Sequence, residues 1–237
     1  MLNKQILIFP IRSIIHFLVM MTWLPFGILI GLFNKKAGTN IIFSCVRFFL
    51  RMYSIDVCVQ NDNGSTEKLA GCIFILLNQN SLLDGPVGIS VIPKPCRGIV
   101  NFEYAIIPFF GWAMWVFCWV IIRQWPSQAK KTLAKVAAFL RNGGNIWMSI
   151  EGRRSKDGSL YQFKKGPVVI AIQSQAKIVP VIIYGTKEVL GYGMKRIRSG
   201  RVVVRFLEAL QTNGMKYEDR DVLVNKLFSL AEQEVPV

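Results

Sequence analysis

Residues 13–33, SIIHFLVMMTWLPFGILIGLF, hold no formally charged side chain. Roughly 20 apolar residues in a row are enough to cross a bilayer as a helix, so this run limits where the N-terminus can lie. Pro25 and Gly27 interrupt it, and a bent or re-entrant hairpin satisfies it as well as one straight span. A cleaved signal peptide fits less well, because the apolar stretch is too long and no small-x-small site follows cleanly. The segment is expected to be a membrane anchor. The first carboxylate of the chain is Asp56, and the charged residues before it, Lys4, Arg12, Lys35, Lys36, Arg47 and Arg51, are all basic.

Hydrophobic residues make up 52% of the 237, charged residues only 18%, yet the net charge is +15. Anionic lipid headgroups attract Lys and Arg beside apolar anchors, whereas a nucleic-acid binder is basic without being this apolar. A bilayer with anionic headgroups is therefore the expected partner, and no nucleic acid is expected. Residues 40–53, NIIFSCVRFFLRMY, set Arg47 and Arg51 one helical turn apart among Phe and Ile. An amphipathic helix at the lipid interface and a helix packed on the following domain with two solvated arginines suit the pattern equally.

Five cysteines without a C-x-x-C pair argue against a disulfide framework or a zinc site, and no metal is expected. His16 is the only histidine and lies in the apolar run, which suits a buried or interfacial side chain better than a ligand or a base. That single count excludes most serine hydrolases and His-dependent acid–base enzymes.

From residue 54 the pattern changes. β-Branched runs at 54–60, 72–77, 119–123, 145–149, 178–183 and 201–206 alternate with helical stretches, notably 127–141 and 165–175. Strands alternating with helices predict an α/β domain with a mixed, largely parallel sheet flanked by helices. The predicted organisation is an anchoring segment, 1–53, and an α/β domain, 54–237. The uncharged stretch 104–122 is read as a buried helix feeding a buried strand rather than a second span, because Pro108 and Gly111 break it. Among the basic residues Lys195, Arg196, Arg198, Arg201 and Arg205, the last two share one strand face and suit a solvated edge strand.

The apolar strand 72–77 ends in Asn78-Gln79-Asn80-Ser81-Leu82-Leu83-Asp84-Gly85. The polar end of a strand that opens a helix is where open α/β sheets bind ligands. Ser81-x-x-Asp84 also has the form of a capping box, and on this stretch alone the cap is the better reading. Further along stand Ile107-Pro108-Phe109-Phe110-Gly111 with Val120-Ile121-Ile122-Arg123, then Glu151-Gly152-Arg153-Arg154-Ser155, then Phe163-Lys164-Lys165-Gly166 and Ile178-Val179-Pro180-Val181-Ile182. Each alone is weak; the series is specific. It resembles the glycerophospholipid acyltransferases, in particular the 1-acylglycerol-3-phosphate acyltransferase type, in which N-H-x-x-x-x-D, P-x-x-G with a strand-closing Arg, and F-P-E-G-T-R-S follow one another.

The resemblance implies a membrane-bound enzyme, its catalytic domain facing the cytoplasm. Such an enzyme moves a fatty acyl group from acyl-CoA or acyl-carrier protein, a thioester substrate rather than a cofactor, to a lysophospholipid. It places Gln79 and Asp84 at the reaction centre and Glu151 beside the glycerol. Asn78, Gly152, Arg153 and Ser155 join the substrate site, with Arg123 and Arg154 on phosphate. Where that motif has a histidine general base, this chain has Gln79, and Ser149, Ile150 and Arg153 replace its Phe, Pro and Thr. Glutamine donates and accepts hydrogen bonds but takes up no proton near neutral pH, and losing a general base costs about 10²–10⁴ in rate. A non-catalytic relative retaining the pocket, an engineered inactive variant, and an enzyme using a carboxylate such as Glu151 as a weak base all accommodate this.

Overall fold

The computed structural model describes residues 2–65, 69–106, 110–121, 126–194 and 196–235. The chain opens with a helical hairpin. Helix α1 (Leu2–Phe33) runs unbroken past Pro25 and Gly27, and Asn34 caps α2 (Lys35–Met52) by accepting a hydrogen bond from the Ala37 N–H at 3.1 Å. Gly31 faces Gly38, Gly27 faces Ile41 and Ile42, and Trp23 meets Phe48, which is antiparallel register. The helices cross closest at Gly38, where an added Cβ would stand 2.4 Å from the Gly31 Cα.

Of the two forms expected for the anchoring segment, one straight span and a hairpin, the chain takes a helical hairpin. Among the described residues no helix is long and apolar enough to cross a membrane. Part of the apolar surface of α1 is spent on protein instead: Leu24, Gly27 and Gly31 are buried, Gly31 against Val116 and Phe117. The turn-back lies at Asn34, beyond the apolar run rather than at Pro25. The His16 side chain lies outside the described residues. Helix α2 packs on the domain that follows, with Leu50 and the adjoining Tyr53 in the core and Arg47 and Arg51 exposed.

Seven strands form one sheet: β1 (Ile55–Asn61), β2 (Ile73–Leu76), β3 (Cys96–Asn101), β4 (Cys118–Ile121), β5 (Asn145–Ser149), β6 (Ile178–Tyr184) and β7 (Gly200–Phe206). Their order is β1-β7-β6-β2-β5-β3-β4, and every pair is parallel except β6–β7. Helices α3 (Asp84–Val91), α4 (Phe102–Ala105), α5 (Phe110–Phe117), α6 (Pro126–Arg141), α7 (Lys165–Ser174), α8 (Thr186–Leu190) and α9 (Arg220–Glu234) lie between or after the strands. The expected mixed, largely parallel sheet flanked by helices is observed.

The central strands read as continuous apolar runs because both faces are covered. Along β2, Ile73 and Ile75 enter the core that includes Val136 of α6, Val168 of α7 and Leu227 of α9. Phe74 and Leu76 enter the opposite core with Leu50 of α2 and Val87 of α3.

Two further expectations change. Strand β7 is not an edge; it lies between β1 and β6, and Arg205 is paired with Asp62 at 3.0 Å and Glu234 at 2.5 Å. Its charges therefore serve pairing and solvation within the sheet rather than edge protection. Helix α5 does feed β4, but it is not buried throughout: Trp112 and Trp115 are half-exposed while Gly111 and Ala113 turn inward.

The glycine crossing yields a stability prediction. Gly38→Val is expected to destabilise the chain by about 1–3 kcal/mol, because the α1–α2 backbones must separate to admit the branched side chain. Gly166→Ala, where an added Cβ meets nothing within 4 Å, should stay within about 0.5 kcal/mol. Thermal midpoints of the two variants beside the parent check this.

Candidate active site

Parallel neighbours β6, β2 and β5 end on one edge of the sheet, and the polar residues that follow them meet there. After β2 comes Asn78, buried, with its amide spent on the next strand: Nδ2 donates to the Ile183 carbonyl at 2.8 Å and Oδ1 accepts the Ile183 N–H at 3.0 Å. These two bonds continue the β2–β6 ladder through a side chain. Asn78 thus holds the backbone from which Gln79 projects, its amide bonded to the Ile183 backbone.

The backbone of Gln79 is held on both sides. Its N–H donates to Glu151 Oε2 at 2.5 Å, and its carbonyl accepts the Ser155 N–H at 2.7 Å. Its side-chain amide is partly exposed and makes no hydrogen bond among the described residues. Gln79 is therefore rigid at the backbone and free at the amide.

Asp84, at the start of α3, is fully buried. Oδ2 accepts the N–H groups of Asn80 and Ser81, each at 2.7 Å, and Oδ1 accepts the Thr186 hydroxyl at 2.5 Å. The carboxylate half of the capping box is present. The hydroxyl half is diverted, since Ser81 Oγ accepts from Leu83 N–H and donates to the Leu190 carbonyl. Burial pushes the Asp84 carboxyl up from 3.8 to about 6, against the opposing pull of its three hydrogen bonds and of the Arg154 charge.

Glu151 follows β5 and is also buried. Oε2 takes the Gln79 N–H and Oε1 the Tyr161 N–H at 2.7 Å. Burial raises its carboxyl from 4.5 to about 7; these hydrogen bonds and Arg153 oppose the rise, and the Asp84 charge adds to it. Placed so, Glu151 braces the exit of β2 against the loop after β5. The residue is 1% exposed, and both carboxylate oxygens are engaged by backbone donors.

Gly152, at φ 69°, turns the chain so that consecutive arginines diverge. The Arg153 guanidinium lies 3.9 Å from the Tyr161 ring centroid, and that of Arg154 lies 5.4 Å from the Tyr192 ring, which Lys156 shares at 5.5 Å. Ser155 is buried; its Oγ is bonded to Asp157 and to the Gly158 N–H. Lys164 precedes α7 and is exposed, while Lys165 is committed to an ion pair with Asp221 at 2.7 Å. Arg123 lies outside the described residues.

Gln79, Asp84, Glu151, Arg153, Arg154 and Ser155 are thus brought together from two distant stretches. Thr186 and Tyr161 complete the set and were missed from sequence. The signal for Thr186 was available: Gly185-Thr186 closes β6, the third parallel strand at the same edge. Gly185 takes φ 87°, and a Cβ there would lie 2.2 Å from the Arg201 carbonyl oxygen. Ser149 Oγ, just before the site, is enclosed without a hydrogen-bond partner among the described residues. Among the described residues no three His, Cys, Asp or Glu side chains gather as metal ligands.

Both carboxyls bind protons more tightly in the folded state than in the unfolded chain. Folding is therefore linked to proton uptake between about pH 4 and pH 7, and their contribution to stability falls as pH rises through that window. Asp84→Asn is expected to flatten this decline by an amount on the order of 1–3 kcal/mol across the window. Denaturation midpoints at several pH values, compared by slope rather than height, test it.

With this geometry in view, relatives are informative. Residues 56–184, just over half of the chain, match the family described as Acyltransferase. The 1-acyl-sn-glycerol-3-phosphate acyltransferase beta of Homo sapiens is 31% identical over 76% of this chain and 65% of its own length. The alpha enzyme of Ovis aries is 29% identical over 65% of this chain and 54% of its own. The chain thus spans about half to two thirds of the curated relatives it matches. The crystal structure of the 1-acyl-sn-glycerophosphate (LPA) acyltransferase PlsC from Thermotoga maritima shares the fold, with a TM-score of 0.69, 19% identity and 94% of each chain covered. The protein belongs to the Acyltransferase family.

Proposed function

We propose that the chain is a membrane-associated acyltransferase that moves a fatty acyl group from an acyl thioester to a lysophospholipid such as 1-acylglycerol-3-phosphate. The observation that carries this is the buried Asp84, held by Asn80, Ser81 and Thr186 and facing the Arg154 charge, beside a partly exposed residue 79 whose backbone is locked. In the transfer, the acceptor oxygen bonds to the thioester carbonyl carbon, the C–S bond breaks, and the hydroxyl proton ends on the departing thiolate. Orientation of the reactants falls to the strand-edge loops, and recognition of the acceptor phosphate to Arg154. Arg153 and Arg123 belong to the same basic side of the site in this reading. The donor is acyl-CoA or acyl-carrier protein.

Bilayer attachment is supported by the exposed apolar faces of α1 (Leu18, Trp23, Phe26, Leu29, Leu32) and of the nearby α5 (Trp112, Trp115). The exposed Arg47 and Arg51 suit anionic headgroups. In this arrangement the domain faces the cytoplasm.

A second reading has its own observation. The Gln79 amide cannot accept the hydroxyl proton, and the chain's only histidine is His16. A protein that binds lysophospholipid without transferring the acyl group would keep every other feature of the site.

Gln79→His is expected to raise acyl transfer by about tenfold or more, measured with a thioester donor and lysophosphatidic acid. Equal, full activity in both proteins would remove the general base from the argument. Inactivity of both across a broad panel of donors and acceptors would favour the binding protein.

Arg154→Ala should weaken lysophosphatidic acid binding by roughly 1.5–3 kcal/mol, the worth of a charge-assisted contact, and leave an uncharged monoacylglycerol unaffected. Arg154→Lys should recover part of the loss, because a point charge does not reproduce the planar fork. Equal loss for both ligands would mark Arg154 as structural.

A further inference from the structure

A groove of about 480 Å³ lies between α1 and α2, remote in the chain from the strand-edge site, lined by Trp23, Phe26, Asn40, Ile41 and Ser44. Its two walls differ in chemistry. Trp23 and Phe26 form the apolar wall and are themselves half-exposed. On the opposite wall each polar residue is joined to a cation: Arg47 Nη2 donates to Ser44 Oγ at 3.1 Å, and Lys94 Nζ donates to Asn40 Oδ1 at 3.5 Å. Lys94 also lies over the Phe43 ring, 4.0 Å from its centroid.

These two cations have no acid between them. Among the described residues neither Arg47 nor Lys94 forms an ion pair with a carboxylate, and no Asp or Glu precedes Asp56 in the chain. They also sense each other: burial and then the Arg47 charge lower the Lys94 ammonium below its ordinary value. Two like charges held beside a groove by neutral side chains are relieved by a bound anion. The groove beside them suits a hydrocarbon chain.

We propose that this groove holds one anionic phospholipid of the bilayer, its phosphate bridged by Arg47 and Lys94 and an acyl chain lying against Trp23, Phe26 and Ile41. The inference deepens the bilayer reading above and is independent of acyl transfer, since none of these residues touches Gln79 or Asp84. The bound lipid would fix the α1–α2 hairpin to the leaflet at a defined place rather than by diffuse charge.

The test is native mass spectrometry of the full chain released from neutral detergent with equimolar phosphatidylglycerol and phosphatidylcholine of identical chains. Phosphatidylglycerol should be retained at least about tenfold over phosphatidylcholine. Arg47→Gln with Lys94→Gln should bring the ratio near one. Lys35→Gln with Lys36→Gln, the same charge loss placed at the start of the helix that carries Arg47, should preserve the preference. No preference in the parent chain, or equal loss in both double variants, overturns the groove. Flotation on neutral vesicles separates the two readings. Flotation without a phosphatidylglycerol preference sinks the groove and leaves the bilayer reading; no flotation on neutral or on phosphatidylglycerol vesicles overturns both.

Discussion

The Glu151 carboxylate accepts one backbone N–H from the residue after β2 and another from Tyr161, ten residues further along its own loop. A buried carboxylate is unfavourable unless its oxygens are bonded, and here both are. The bonds fix where Gln79 stands, and Ser155, reaching back to the Gln79 carbonyl, fixes where the arginine-bearing loop stands. Asp84 repeats the device on the other side, gathering Asn80, Ser81 and Thr186. Two buried acids therefore join three strand ends into one rigid edge. Each also faces one cation of the Arg153–Arg154 pair.

That edge depends in turn on a sheet covered on both faces. Three parallel strands can present their ends together only while α6, α7 and α9 on one side and α2 and α3 on the other exclude water from β2, β5 and β6. Helix α2 has two duties. Leu50 belongs to the core, while its exposed side carries the arginines and one wall of the groove with α1. The N-terminal hairpin is thus continuous with the α/β fold through α2, and its close glycine crossing sets how the apolar face of α1 is offered to its surroundings.

Much was legible in advance because it rests on local pattern. The alternation of β-branched runs and helical stretches gave an α/β class, and all six expected strand runs needed no more than small shifts at their ends. Strand β3 was not visible, since Cys96-Arg97-Gly98 lacks the β-branched signature and owes its strand to pairing with β5 and β4. The form of the segment 13–33 was left open between a span and a hairpin for a related reason: hydropathy records that a run must leave water, but not whether lipid or protein receives it. Here α2 and α5 receive a share. For β7, charge suggested an edge, yet pairing on both sides is decided by strands distant in sequence.

By itself, the sequence determined the types of element, the candidate residues at their ends and the absence of a histidine at position 79, because each is written in local composition and spacing. Only the tertiary structure decided what those residues touch. Asn78 and Glu151, read as substrate contacts, are bonded to backbone at the end of a neighbouring strand, and Thr186, unremarkable in sequence, holds Asp84. Whether a buried polar group faces a ligand or a neighbouring strand depends on which donors lie within 3 Å or so. The donors from Ile183, Gln79 and Thr186 stand 105, 72 and 102 positions from the residues they hold, a relation that no local pattern encodes.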